Sequence, residues 1–437
     1  MSPVLLLAAL AAALAPAASA SPADSVLTAA GAIALPGVTD AADAMKLDHS
    51  VLVGNLLFLA CKENNTVSVV DLDAGAFVTS TVVPTPQGLA YSAALGMVFV
   101  ASSSAGTLSA LSAAPPFAVA WSIAVGGDCD NIRCVDTPGG AAPARVYVAH
   151  GGGAAGNGAV TAVDASLAGG AVAFTTDVGS DHPEELNLSP LANVMTVSVP
   201  AAAGGGVRVL STDPARPRLD FWSGEGLWSG PFAQTVDASG QRLWLATAGA
   251  VEPPIASQLL ALNALDGTLL FAAPTGEAGA ACDEIALDEA GGLVFAAKGG
   301  PASRLYVVRQ TRASAAFPGV GANWTALGSL DGMPQSLVNA RGVVWRASTR
   351  TLYLKVPLDA AAKQPAQLLV FAAAAAPAPA AAPGGGACDQ GALGQGAWSA
   401  LTAGVALVGL VVGIALARNV GVGGAKEAKD AAYASLN

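Results

Sequence analysis

The feature that most restricts the fold is a short apolar unit, usually aromatic at its second position, that recurs seven times. It reads Leu57-Phe58-Leu59-Ala60, Val98-Phe99-Val100-Ala101, Val146-Tyr147-Val148-Ala149, Val194-Met195-Thr196-Val197, Leu243-Trp244-Leu245-Ala246, Val294-Phe295-Ala296-Ala297 and Leu352-Tyr353-Leu354-Lys355. A Gly- or Ser-rich loop and a second apolar stretch follow each unit, at 66–70, 107–111, 159–163, 206–210, 258–262, 304–308 and 367–371. The period of roughly 40 to 55 residues is that of a four-stranded propeller blade. Strands apolar at successive positions are buried on both faces, which suits the middle of a blade stacked between two others. Asp73-Ala74-Gly75, Asp237-Ala238-Ser239-Gly240 and Asp266-Gly267 supply turns, because Asp and Gly tolerate the backbone angles required. A β-sandwich array also has short regular strands, but nothing in it demands seven similar units.

The repeat therefore predicts an all-β, seven-bladed β-propeller over residues 30–371. Ahead of the first unit, Ala32-Ile33-Ala34-Leu35 has no partner within its own repeat. It is expected to form the outermost strand of the last blade, whose own chain stops near Phe371, so that pairing the two ends closes the ring and removes an open edge.

The rest of the chain accounts for part of a composition that is 53% apolar and only 12% charged. Residues 1–20 hold an uncharged apolar run ending in Ala18-Ser19-Ala20, the pattern of a removable signal peptide. Residues 372–396, rich in Ala, Pro and Gly, lack the bulky side chains needed for a core and read as a spacer stalk. Residues 397–417 carry no charge and are long enough to span a bilayer as a single transmembrane helix, with Trp398 at the outer edge. Arg418, Lys426 and Lys429 follow it, which places the tail 418–437 in the cytosol and the propeller on the extracellular or lumenal side, a single-pass type I arrangement. Gly409 and Gly413 would let two such helices approach closely, and Cys388 in the stalk could link two chains, so both are candidate homodimer contacts. The net charge of −11, with no Lys/Arg cluster, excludes a nucleic-acid-binding face and suits cationic partners.

Candidate site residues come from a second series, at the expected start of each innermost strand: Asp48-His49, Pro86-Gln87, Asp130-Asn131, Pro183-Glu184, Pro231-Phe232, Asp283-Glu284 and Pro334-Gln335. Innermost strands begin at one mouth of a propeller channel, so these side chains should converge there. Asp48, His49, Gln87, Asp130, Asn131, Glu184, Asp283, Glu284 and Gln335 are the expected ligand-binding ring. Two readings of it stand side by side. Asp130, Asn131, Glu184 and Asp283 offer oxygens suited to a hard cation such as calcium; alternatively the same groups cap strand ends and bind channel water. His49 beside a carboxylate could serve as a general base or make only a structural hydrogen bond. His150 and His182 show no zinc-ligand spacing, and no Gly-x-Ser-x-Gly elbow occurs. If residues 129–134 are extended, Cys129 and Cys134 lie about 16 Å apart, too far for a disulfide. Asn64-Asn65-Thr66 and Asn323-Trp324-Thr325 are glycosylation sequons at Asn64 and Asn323.

With the units aligned, the chain resembles the YVTN/YncE-like seven-bladed β-propellers. The resemblance is carried by Leu47-Asp48-His49, Asn65-Thr66-Val67-Ser68-Val69-Val70-Asp71-Leu72, Pro86-Gln87-Gly88-Leu89-Ala90-Tyr91, Gly127-Asp128-Cys129-Asp130-Asn131-Ile132-Arg133 and Ala281-Cys282-Asp283-Glu284. It implies the fold and no single chemistry. The more distant lactonase and gluconolactonase-like propellers hold channel calcium, though their catalytic pattern is not intact here. The expected function is thus a membrane-anchored module that binds an extracytosolic ligand or protein. The alternative is a calcium-dependent lactonase or esterase-like hydrolase using the channel-mouth carboxylates and His49.

Overall fold

The computed structural model describes residues 22–374 apart from 37–46, 137–143, 152–157, 181, 190–192, 201–204, 217–218, 225, 251–254, 277–281, 300–302, 311–323, 331–339, 341 and 359–363. The expected signal peptide, transmembrane segment and tail, and the expected stalk from 375 on, with Gln335, Asn323, Cys388, Gly409 and Gly413, lie outside the described residues, whereas Ala372 and Ala373 belong to the last strand rather than to a stalk. Among the described residues no helix is long and apolar enough to cross a membrane.

Seven four-stranded antiparallel sheets form the described chain, each made of strands consecutive in sequence except the last. Blade 1 runs Leu47–Val53, Leu56–Cys61, Thr66–Asp71 and Ala76–Val82 from the inside outwards. Every one of the seven repeated apolar units is the second strand of a blade, and every following stretch is the third. The strand Met97–Ser102 is buried along its whole length, as apolarity on both faces requires. At the turn after the third strand of blade 1, Asp71 Oδ1 accepts the Asp73 and Ala74 amides at 2.9 and 3.0 Å, and Gly75 takes a φ of +61°.

Blade 7 contributes Gly342–Arg346, Thr351–Val356 and Gln367–Ala373, and Leu27–Ala34 adds its outer strand. Leu27 pairs with Ala373 and Ala34 with Gln367, so the two chain regions close the ring as expected, in a strand that starts five residues before Ala32. The energetic reason lies in the cores. Seven apolar clusters each straddle one pair of neighbouring blades, so no blade buries both faces by itself. Phe58 and Val69 of blade 1 pack on Val98 and Leu111 of blade 2. Leu57 and Leu59 pack on Tyr353 and Leu368 of blade 7. Trp244 and Trp324 meet edge-on at 4.6 Å between blades 5 and 6, Trp244 in the core and Trp324 half-buried against it.

Candidate functional site: the channel mouth and its ion-paired waist

The inner strands of blades 1, 2, 3 and 5 open with the same irregularity. Leu47 pairs with Cys61 but Ser50 with Leu59; Pro86 pairs with Ser102 but Leu89 with Val100; Cys129 and Ile132, then Pro231 and Gln234, repeat the pattern. Three steps on the inner strand face two on its neighbour, which is one extra residue per blade, and such a bulge re-aims side chains. The residues inside the bulges are Asp48-His49, Gln87-Gly88, Asp130-Asn131 and Phe232-Ala233. In blades 4 and 6 the pairs Glu184-Glu185 and Asp283-Glu284 stand directly before the inner strands Leu186–Ser189 and Ile285–Asp288.

The first members of these six pairs come together. Asp48, Gln87, Asp130, Glu184, Phe232 and Asp283 line one recess of about 270 Å³ at the channel mouth, joined by Lys62, Asp128 and His182. The second members lie one residue deeper, where His49, Asn131, Glu185 and Glu284 form a waist. In blade 2 the second member is Gly88, and a Cβ there would stand 2.7 Å from the Asp130 carbonyl oxygen and 2.9 Å from Asn131 Cα, so blades 2 and 3 meet backbone to backbone.

Two polar networks build the waist. In the first, Lys355 Nζ, on a residue only 1% exposed, pairs with Glu284 Oε2 at 2.6 Å and donates to the Asp48 carbonyl. The Ser50 amide donates to Glu284 Oε1 at 3.0 Å, and His49 Nδ1 stands 3.7 Å from that oxygen. Lys355 reaches this position across Gly342, where any Cβ would lie 2.0 Å from its Cε. In the second network Arg133 donates to the Glu185 carboxylate, to Asn131 Oδ1 at 2.7 Å and to the Ile132 carbonyl at 2.8 Å. Glu185 Oε2 accepts the Gln234 amide at 3.1 Å, and Asn187 Nδ2 donates to the Gln234 carbonyl at 2.6 Å. Asn131 Nδ2 lies 3.2 and 3.4 Å from the two ring nitrogens of His49, so the two networks abut there. His49 and Glu185 line both the mouth and a second recess of about 440 Å³ beyond the waist, and therefore partition the channel.

The charges follow from these contacts. Burial by itself would depress the His49 pKa, but the close approach of Glu284 and the charges of Asp48, Glu185 and Glu284 overcome it and raise the value to about 9. His49 is an imidazolium at neutral pH. Burial would lift Glu284, yet Lys355 and His49 hold it below its ordinary value. Burial raises Glu185 in spite of Arg133. At the mouth, His182 Nε2 contacts Glu184 Oε1 at 2.9 Å and His182 Nδ1 contacts Asp128 Oδ2 at 3.2 Å. The bond to Glu184 raises His182, and although burial opposes it, His182 together with Asp130 lowers Glu184. Burial and the neighbouring charges of Glu184 and Asp48 push the Asp130 carboxyl well above its ordinary value, opposite in direction to Glu184. His150 is apart from all this, bonded to Thr161 Oγ1 at 2.9 Å beneath Gly126.

Calcium fits this arrangement poorly. Asn131 does not face the mouth with Asp130 and Glu184; its carbonyl oxygen is spent on Arg133, and Glu184 is already paired with His182. Among the described residues no three His, Cys, Asp or Glu side chains are grouped to hold a metal ion. Asn64, in the turn before the third strand of blade 1, donates to Thr66 Oγ1 at 2.9 Å. Cys61, Cys129, Cys134 and Cys282 are free thiols.

Sequence reasoning passed over Lys355, Glu185, Arg133 and His182 as site residues. Lys355 had a readable signal: it occupies the fourth position of the repeated unit, where five other blades have Ala and one has Val. Glu185 and His182 flank a Pro-Glu already singled out, and only the tertiary arrangement distinguishes them from solvated charges.

No protein-family model matches the chain, and no curated protein matches it. Solved structures do. A chain of Kuenenia stuttgartiensis hydrazine synthase superposes with a TM-score of 0.57 at 12% identity, covering 78% of this chain and 99% of that one. A functionally unknown protein from Desulfotomaculum acetoxidans gives 0.51 at 15% identity over 68% and 87% of the two chains. The Dos1 propeller gives 0.50 at 13% identity over 76% and 82%. Identities this low speak for fold alone. Blade count, ring closure and these likenesses make the protein a seven-bladed β-propeller.

Proposed function

We propose that this chain is a membrane-anchored, extracytosolic β-propeller of the YVTN/YncE-like kind that works as a binding module, receiving its ligand at the carboxylate-lined channel mouth. The observation that carries the reading is the recess itself: six blades each send one side chain into about 270 Å³, above a waist of paired charges. Concave sites with a few convergent polar groups are the usual ligand sites of proteins. The apolar run at 1–20 and the uncharged stretch 397–417 support the anchored, extracytosolic placement. The hydrolase alternative has less behind it. A general base must be unprotonated at its working pH, and His49 keeps its proton up to about pH 9.

A ¹⁹F NMR fragment screen with cationic, neutral and anionic compounds on the full-length protein in detergent tests the site. Fragments bound by the wild type and lost on Glu184→Arg, which fills the mouth, are expected. Hits that all survive Glu184→Arg would remove the mouth as the site. For placement, protease cutting within 375–396 should release the propeller from intact cells, or from the lumen of opened compartments. Release only from the cytosolic side would reverse the orientation.

A further inference from the structure

The recess beyond the waist is a cavity in its own right, and its wall changes character along its depth. Its volume of about 440 Å³ falls within the roughly 300–1,000 Å³ of ordinary small-molecule sites. Each inner strand runs from the mouth towards the opposite face, so His49, Arg133, Glu185 and Glu284 form the floor of the recess. Further along the same strands, Leu52, Leu287, Val344 and Trp345 give it an apolar rim. The floor has no net charge to offer, because the His49 imidazolium and Arg133 balance the Glu185 and Glu284 carboxylates that they already face. An ion of either sign would give up its hydration to enter beside as much like charge as opposite. What the floor does offer is a hydrogen bond. Arg133 is its accessible head, with a side chain 28% exposed against 7% for Glu185. Its Nε–H goes to Asn187, both Nη1 hydrogens go to Asn131 and the Ile132 carbonyl, and one Nη2 hydrogen goes to Glu185. A guanidinium has one donor more, and that last Nη2–H has no acceptor among the described residues. Tyr91 and Thr235, half-buried on the wall, carry hydroxyls that also lack a partner among the described residues and are not sealed from solvent.

We infer that this recess is a second binding site, separate from the mouth, and that it takes an uncharged amphiphile head first: a hydroxyl or amide oxygen accepts the spare Arg133 N–H, and the hydrocarbon part lies along the rim. The order of polar floor and apolar rim sets the direction of entry. The opposite orientation would press hydrocarbon onto the ion pairs and leave Arg133 unanswered. Nothing in this assignment requires the mouth to bind a ligand. Two sources carry the chemistry, a free small molecule and a neutral single-chain lipid.

The test is isothermal titration of the full-length protein in lipid nanodiscs, with empty discs as the blank and affinities referred to free ligand. The probes are hexanamide, hexanoate and hexylammonium, which share a chain length, and butanamide, which is two methylenes shorter. Hexanamide should bind about ten-fold more tightly than either ion. It should also exceed butanamide, by roughly four-fold for each methylene laid on the rim. Thr235→Phe, which fills the recess, should abolish binding. Arg133→Lys, which keeps a charge beside Glu185 but not the spare N–H, should weaken hexanamide about five-fold. Leu52→Asn, on the rim and away from the waist, should bring hexanamide down towards butanamide and gives a second variant if Thr235→Phe does not fold; thermal midpoints establish which variants are folded. Glyceryl monolaurate in the discs that displaces hexanamide names a lipid as the source, and no displacement names a free molecule; either supports the assignment. Hexanoate or hexylammonium binding as tightly as hexanamide, no gain with chain length, or binding that survives both Thr235→Phe and Leu52→Asn would overturn it. Binding lost on Glu184→Arg but kept by folded Thr235→Phe would place the probe at the mouth and also overturn it, as would no binding of any probe.

Discussion

Replacing Lys355 by methionine tests whether the waist is held by ion pairing. Lys355 is 1% exposed, its ammonium is 2.6 Å from Glu284 Oε2, and it also donates to the Asp48 carbonyl. Methionine retains most of the volume over Gly342, so the loss is electrostatic and the packing change is small. Removing one partner of a buried pair costs about 3–5 kcal/mol, because the remaining charge is left in a poor solvent. Here the lower end applies, since Ser50 still donates to Glu284 at 3.0 Å and His49 stands 3.7 Å away. The expected destabilisation is about 3 kcal/mol. The partner substitution Glu284→Gln removes the stranded charge, so the double variant Lys355→Met/Glu284→Gln should recover all but about 1 kcal/mol. Urea unfolding followed by tryptophan fluorescence reads all four corners of the cycle. A single variant within 0.5 kcal/mol of wild type, or a double variant as unstable as the sum of the two singles, would refute the ion-paired waist.

Four further outcomes follow from the same geometry. Because the folded pKa of His49 is raised from 6.5 to about 9, its stabilisation is complete below about pH 6.5 and is lost as pH rises through about 9. Up to roughly 3 kcal/mol should disappear over that window in denaturant titrations, and His49→Gln should flatten the slope. Asp130 has the opposite character: an acid raised in the folded state weakens the fold as pH climbs above its ordinary value. Asp130→Asn should therefore raise the melting temperature at pH 7, with the gain shrinking towards pH 4; an equal gain at both pH values contradicts the upward shift of Asp130. Gly88→Ala, which sets a Cβ 2.7 Å from the Asp130 carbonyl oxygen, should lower stability by about 1–3 kcal/mol and loosen the blade 2–3 contact in hydrogen exchange. Burial pushes the Cys61 thiol up to about 11 and Cys129 to about 12, and raises Cys282 further. Iodoacetamide at pH 8 should leave all three unmodified in the native protein and label them in urea, as read by peptide mass spectrometry.

The fold was legible in the sequence because its determinants are local and repeated. Units such as Leu57-Phe58-Leu59-Ala60 mark a strand buried on both faces, and seven of them at blade spacing leave little choice but a ring. Even the closure could be read, from a strand at Ala32 with nothing beside it in its own repeat. The stations at the mouth were legible for the same reason: Asp48, Gln87, Asp130, Glu184 and Asp283 hold equivalent places in successive repeats, and symmetry brings equivalent places together. What the sequence could not assign was the state and direction of each polar group. The Asp130 carboxyl is pushed up and the Glu184 carboxyl down, Asn131 turns from the mouth to Arg133, and His49 is raised to about 9. The charge shifts depend on groups about 50 to more than 200 residues away, as when His49 meets Glu284, and on how little water remains between them, whereas Asn131 is turned by Arg133 two residues on. A repeat dictates where backbones go. Charge states are set by what six or seven blades place within a few ångströms of one another, and only the closed ring decides that.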